Sequence, residues 1–301
     1  MIVDNENTKK RKRALNIHYL NYVNVFEKWL IRLGYVKSTV VSYTHKLKFF
    51  FLELQDLQIY TIYHIKNEHV QGYYQKLLQR DISTSHLRCY ILAIKNFNRY
   101  LQKTEYYTIP FKAIVIGKQQ ANIPDILSQE EVHILFKSLG ESPSAMRDNA
   151  MLHLLYSCGL RCEEVTRVRI KDIDYHRQLL YVQPGKTKLG RYVPMHPKVS
   201  ADLRAYQTYA RPLINSYGKH FLVGSKSVIF STKSIRRSLI QILEHTTIHK
   251  NITPHGLRHS IATHLLQQGL SIDQIAQFLG HKSIESTQIY VRMNQQLLYG
   301  K

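Results

Sequence analysis

The 301-residue sequence is short of acid and of cysteine. Asp and Glu number 21 against 42 Lys and Arg, which leaves a formal charge of +21 with histidines neutral. A chain so poor in carboxylates repels itself unless a polyanion neutralises it. The deficit is not confined to a tail. Residues 1–110 hold 17 Lys and Arg against 8 Asp and Glu, and residues 111–301 hold 25 against 13, so the two stretches carry +9 and +12. Together with 21 tyrosines, that spread points to nucleic-acid contact along both parts of the chain rather than to one docking patch.

The three cysteines, Cys89, Cys158 and Cys162, are too few and too unevenly placed for a disulfide framework, which implies a reducing compartment. Cys158 and Cys162 are spaced too widely for half a zinc site, and no second Cys pair completes four ligands, so both are expected to be buried thiols. No apolar run reaches the roughly 18 residues of a membrane span. The basic run Lys9–Arg13 lacks the apolar stretch that a secretory signal places after it. A soluble intracellular protein without a membrane partner is therefore expected, with residues 1–14 as a basic arm that either contacts DNA or is a solvated tail. No carboxylate cluster has metal-ligand spacing, which disfavours a two-metal nuclease. Gly185-Lys186-Thr187 lacks the upstream glycine of an ATP-binding loop.

What is present is apolar residues at helical spacing, in a length that suggests about two domains. Leu20, Val23, Phe26 and Leu30 predict a helix over 15–33, and Gly34 stands where a left-handed stop belongs. Ser38 can cap a second helix running to about Leu54, and Val70–Leu78 and Ser83–Leu101 give two more. Residues 15–105 thus read as an all-helical domain. The periodicity then fails over a linker, 106–125, which contains Pro110 and Pro124. Ser128 and Glu131 form a capping box at the start of a second domain, 126–301, with Gly140 closing its first helix. Leu179–Val182 and Arg191–Val193 read as a hairpin and the rest of that domain as helix.

Within it, Thr253 caps a helix with Pro254 in its first turn, so His255 and Arg258 share a face near a positive helix end where a phosphate can sit. His255 and His259 have the spacing of a helical zinc pair, but Gly256 stands where a metalloprotease needs glutamate. A capped helix from Ser271 ends at Gly280, which puts His281 just beyond its C-terminus, and Tyr290 follows nine residues later.

Cys158-Gly159-Leu160-Arg161-Cys162-Glu163-Glu164-Val165, the Gly185-Lys186 hairpin, His255-x-x-Arg258, Leu279-Gly280-His281 and Tyr290, in this order, resemble the active-site motifs of the tyrosine recombinases, the Xer-like and phage-integrase branches above all. The resemblance covers nearly the whole chain. It implies a mainly α (α+β) fold, with an N-terminal helical, SAM-like core-binding domain and a C-terminal catalytic domain that is helical with a small antiparallel sheet.

The resemblance also implies the chemistry, which is cutting and rejoining of DNA through a covalent 3′-phosphotyrosyl intermediate, with no cofactor, ATP or metal. Tyr290 is then the nucleophile. Arg161 and Arg258 are the planar, always-charged forks for the phosphate oxygens. Lys186 is the general acid, with Lys188 its rival and the Gly-Lys-(x)₄-Arg-x-Val-Pro frame favouring Lys186. His255 assists proton transfer, His281 bonds the phosphate, and Glu164 braces the site. The partner implied is double-stranded DNA carrying an inverted-repeat recombination site, bound by a homotetramer on two sites. The location implied is the cytoplasm, on the nucleoid. Residues 295–301 would be a short docking element for a neighbouring protomer. The rival readings are a type IB topoisomerase and a DNA-binding regulator that has lost the chemistry.

Overall fold

The computed structural model describes residues 14–281 except 106, 111, 113, 115–124, 186–189, 216 and 226–228. The basic run at 9–13, Lys186, Lys188, Tyr290 and the 295–301 tail lie outside the described residues, as does most of the 106–125 segment. The chain divides into two compact units, 1–121 and 122–301.

The N-terminal unit contains α1 (Ile17–Arg32), α2 (Lys37–Asp56), α3 (Asn67–Leu78) and α4 (Thr84–Thr104). Tyr19, Val23, Phe26 and Leu30 are the buried face of α1; Leu20, counted in that stripe from the sequence, is exposed, and Tyr19 beside it turns inward instead. The rings of this face build an aromatic core. Tyr19 stacks on Phe51 at 4.2 Å, and Phe97 meets both Phe26 and Phe51 edge-on. The one polar atom that Tyr19 takes inside donates to the Ile59 carbonyl at 2.9 Å, so its burial leaves no unpaired hydroxyl. Gly34 has φ +77° and ends α1 as expected. Ser38 does not cap α2. The Gly34 and Tyr35 amides close back on the Ile31 and Leu30 carbonyls, and this tight reversal starts α2 at Lys37, with Val36 as N-cap and no side-chain cap.

The C-terminal unit opens with α5 (Gln129–Lys137), whose capping box forms as the sequence predicts. The Glu131 amide donates to Ser128 Oγ, and the Ser128 amide to Glu131 Oε2. Gly140 does not end this helix. Ser138 is its C-cap and Gly140 has no left-handed φ, because the connection to the next cap, Ser142, is short. Helix α6 (Pro143–Leu152) runs into a π-helical turn, His153–Ser157, closed by the Cys158 amide on the His153 carbonyl. Then come α7 (Cys162–Arg167), strands β1 (Ile173–Asp174), β2 (Leu179–Val182) and β3 (Arg191–Pro194), and α8 (Pro197–Ala205). A second π turn, Tyr206–Ala210, leads to α9 (Arg211–Ile214), followed by α10 (Thr232–Glu244), α11 (Pro254–Gln267) and α12 (Ile272–Leu279).

The sheet is antiparallel in the order β1-β2-β3, with Ile173 opposite Leu180 and Val182 opposite Arg191. The expected hairpin is β2–β3. Strand β1 is an addition to the sequence expectation, too short at two residues to show alternation. The core joins Met151, Leu154 and Leu155 of α6 and its π turn to Leu180 and Val193 of the sheet. The chain entering this unit is stapled to α11, because the Leu127 amide donates to Ser260 Oγ at 2.9 Å.

Candidate active site

Three turns of chain meet where the motifs converge. The first is Gly159 to Glu164, following the π turn. Gly159 has φ +60°, and a Cβ there would come within 2.9 Å of both Leu279 and Phe278 side chains, so conformation and space each demand glycine. Arg161 is the N-cap of α7, and Glu164 lies three residues on, in the first turn. The second is the start of α11, where Thr253 Oγ1 accepts the Gly256 amide at 3.1 Å. The third is the end of α12, capped by left-handed Gly280, after which the His281 amide closes on the Ala276 carbonyl at 2.9 Å.

These turns gather three guanidinium groups around one carboxylate. Glu164 Oε1 accepts from Arg161 Nη1 at 3.0 Å and from Arg191 Nη1 at 3.1 Å. Glu164 Oε2 accepts the Arg161 amide at 2.9 Å and Arg191 Nη2 at 3.0 Å, and Arg258 Nη1 lies 3.7 Å away. Burial pulls the Glu164 carboxyl upward, but the Arg191 hydrogen bonds and charge, the Arg161 amide and the Arg258 charge outweigh it and hold the pKa at about 2. Glu164 is a permanent anion that orients cations, as a brace should be.

The arginines differ in exposure. The Arg161 side chain is 41% exposed, on the wall of an open cleft of about 960 Å³. Arg258 is fully buried, with Nη1 on the Gly159 carbonyl and Nη2 on the Leu279 carbonyl. The sequence expectation places His255 and Arg258 on one helix face near a phosphate, and the structure separates them in depth. His255 is exposed at the cleft, whereas Arg258 is held beneath it by two backbone carbonyls that its sequence spacing could not announce.

His255 and His281 line the same cleft as Arg161 and Glu164. Both have lowered pKa values. For His255 the cause is desolvation, then the Arg258 and Arg161 charges; for His281 desolvation and the same two arginines bring it to about 4. Near neutral pH each imidazole is uncharged and can both donate and accept a hydrogen bond. His259 also reaches the cleft, its ring against that of His255 at 4.2 Å, and burial followed by the His255 charge brings it to about 3. Among the described residues no group of three or more His, Cys, Asp or Glu is placed to hold a metal ion.

Cys158 is buried as expected, but Cys162 is only half-buried and lines the cleft, its thiol facing the Thr232 carbonyl. Arg167 and Arg236 add two further cations to the cleft wall. Sequence reasoning used Arg191 only as a landmark of the hairpin frame. Its strand position carried a usable signal, since Arg191 and Val193 turn inward while Tyr192 between them is 66% exposed. Arg161, Glu164, His255 and His281 are thus brought together on one cleft with Arg258 beneath it. Lys186 and Tyr290 are outside the described residues.

Comparison with known proteins bears on the family and the fold. The description "Phage integrase family" matches residues 125–296, and "Phage integrase, N-terminal SAM-like domain" matches 19–105. Tyrosine recombinase XerC of Lacticaseibacillus casei (strain BL23) is 29% identical over 279 residues, 90% of this chain and 93% of its own length. A tyrosine recombinase of Pseudothermotoga lettingae is 32% identical over 266 residues, 86% of this chain and 88% of its own. Among solved structures, XerH site-specific recombinase bound to palindromic difH substrate, in a post-cleavage complex, aligns with a TM-score of 0.72 at 18% identity, over 86% of this chain and 77% of that one, a likeness of fold. The helical N-terminal unit, the α+β unit that carries the arginine cleft, and sequence kinship along most of the chain identify this protein as a member of the phage integrase family of tyrosine recombinases.

Proposed function

We propose that this chain is a site-specific recombinase that cuts and rejoins double-stranded DNA through a 3′-phosphotyrosyl intermediate, without ATP or metal. The observation that carries the reading is the cluster of arginines on Glu164 at a cleft walled by two neutral histidines. A scissile phosphate carries one negative charge in the ground state and gathers more in its pentacoordinate transition state. Preorganised guanidinium groups stabilise that gain at no reorganisation cost, and removing one such donor typically costs on the order of 10²–10³ in rate. Arg161, with Nη1 on Glu164 and Nη2 on the Gly280 carbonyl at 3.5 Å, presents its charge on the cleft wall, and Arg258 supplies fixed charge beneath it.

In this mechanism the Tyr290 oxygen attacks the phosphorus, with His255 assisting removal of the phenol proton. The bond from phosphorus to the 5′-oxygen breaks, and Lys186 protonates the departing oxygen. His281 donates to a non-bridging oxygen. The product is a phosphotyrosyl ester plus a free 5′-hydroxyl, so the bond energy is kept and a 5′-hydroxyl from another strand can reverse the step.

The DNA partner is proposed to carry inverted repeats. A two-fold site takes two protomers, and exchange between two sites brings four together. The charges of +9 and +12 on residues 1–110 and 111–301 suit backbone contact along both. A cytoplasmic location on the nucleoid follows from that partner. Among the described residues no helix is long and apolar enough to cross a membrane.

The test is a nicked suicide substrate carrying the cognate site, incubated with the protein in EDTA. A covalent protein–DNA adduct is expected, and Tyr290→Phe abolishes it while DNA binding persists. An adduct that survives this substitution refutes the nucleophile. Relaxed circles without strand exchange would instead indicate a topoisomerase.

A further inference from the structure

Arg191 has no role in the mechanism above, yet it holds three of its parts. Its guanidinium forks both Glu164 oxygens, at 3.1 and 3.0 Å, and its Nε donates to the Phe278 carbonyl at 3.1 Å near the end of α12. Its own backbone is the first residue of β3, five positions after Lys186. The side chain is 17% exposed, too buried for a solvated surface arginine. Space has been left for it at Gly280, where a Cβ would stand 2.8 Å from Arg191 Nη1 and 2.9 Å from its Cδ. Gly280 thus does two things. It takes the left-handed turn that presents His281, and it admits the guanidinium that fixes that turn.

We infer that Arg191 is a positioning residue for strand cleavage, which locks the hairpin strand, the Arg161–Glu164 pair and the His281 turn into one rigid unit around the phosphate site. The inference rests on the recombinase reading and assigns Arg191 no contact with DNA. The physical reason is geometric. Glu164 has two oxygens to share among Arg161, Arg191 and Arg258, and Arg191 is the partner whose guanidinium engages both. With that fork removed, Glu164 is free to rotate about Arg161, and the α12 carbonyl at Phe278 loses its tie to the sheet.

Ionisation follows from the same contact. The groups facing Glu164 are Arg161 on α7, Arg191 on β3 and Arg258 on α11, with His255 and His281 neutral across the cleft. Arg191 is the largest influence opposing burial at this carboxyl. Without it, burial is opposed by the Arg161 guanidinium and amide and by the Arg258 charge, and Glu164 takes up a proton at a higher pH. A protonated Glu164 no longer holds Arg161 by charge, so cleavage acquires an acid limb from Glu164 in addition to the one that protonation of His255 and His281 gives the parent protein.

The experiment uses the full-length chain and Arg191→Ala, Arg191→Lys, Glu164→Gln and the Arg191→Ala/Glu164→Gln pair. Three quantities are read: adduct formation against pH on a suicide substrate, affinity for intact site DNA, and the Glu164 titration by carbon NMR of Glu-labelled protein. Arg191→Ala is expected to slow adduct formation roughly 10²-fold with affinity within about twofold. Its Glu164 midpoint should rise by roughly a pH unit or more, and the rate should acquire an acid limb. Arg191→Lys, which keeps charge but not the fork, should remove most of the acid limb and recover little of the rate. The double variant should lose the Glu164 limb and keep that of the histidines. If Arg191→Ala is too unstable to assay, Arg191→Lys carries the test through its rate loss at unchanged affinity. Equal losses of rate and affinity, or an unmoved Glu164 titration, would overturn the inference. Failure of the recombinase reading has a separate signature, an absent adduct in the unsubstituted protein with Glu164 still titrating at about 2.

Discussion

Gly159→Ala is the substitution whose cost can be worked most fully from this structure. Two penalties add. A left-handed φ of +60° costs a residue with a Cβ about 1–2 kcal/mol. The new methyl group would also lie 2.9 Å from Leu279 Cδ2 and Phe278 Cε1. Leu279 is fully buried against Ala262 and Ile275, so it cannot swing clear, and overpacking of this kind costs about 1–3 kcal/mol. The sum is about 2–5 kcal/mol. For a unit of this size that lowers the melting temperature by roughly 5–15 °C. The functional loss should exceed what stability explains, because the Gly159 and Leu279 carbonyls are the two that hold Arg258. Trp29, the only tryptophan, belongs to the N-terminal unit, so its fluorescence is the wrong probe. Calorimetry or far-UV circular dichroism should follow the transition, with adduct yield measured well below it. A melting temperature within about 2 °C of the parent's, together with normal adduct yield, would refute both the clash and the claim that this turn sets Arg258.

Arg258→Lys should cut adduct formation by on the order of 10²–10³ with little change in DNA affinity, since a single ammonium cannot reproduce a fork spanning two carbonyls; a near-parental rate would argue against it. His281 and His259 titrate at about 4 and about 3 in the folded chain against 6.5 ordinarily. The unfolded chain therefore binds more protons between pH 6.5 and 4, and melting temperature should fall steadily as pH drops through that window, whereas a flat profile would contradict neutral, desolvated rings. Affinity for DNA should fall linearly on a log–log plot against salt, as release of counterions by a +21 chain requires. A flat response in filter binding or anisotropy would contradict backbone contact along both parts of the chain.

Sequence reasoning succeeded where structure is decided within a few residues. The Ser128–Glu131 and Ser271 caps, Thr253 at the head of α11, and the left-handed stops at Gly34 and Gly280 all involve partners no more than four positions apart. It failed where the deciding partner lies outside the motif being read. Ser38 had the right chemistry for a cap but yielded to a reversal fixed by the end of the preceding helix. Arg191 and Glu164 are 27 residues apart, and Arg258 is bonded across 99 residues to Gly159. Motif order brought Arg161, Glu164, His255 and His281 to one cleft, yet nothing in that order distinguishes an exposed arginine from a fully buried one. Burial depends on which carbonyls face the side chain, and no periodicity encodes that.

The π turn at His153–Ser157 has a consequence of angle rather than energy. It accommodates one residue more than an α-helical turn would, and it stands immediately before Cys158 and Gly159. In an α-helix each residue advances the chain by about 100° of rotation and 1.5 Å of rise. Deleting a single residue here would let the segment rewind as plain α-helix and would remove the widened turn that the Cys158 amide closes on the His153 carbonyl. The extra residue is in effect a phase setting, which fixes the direction in which the Arg161 turn leaves α6. A chain one residue shorter at this point could keep every motif in its sequence and still lose the turn that hands the chain on to Cys158 and Gly159.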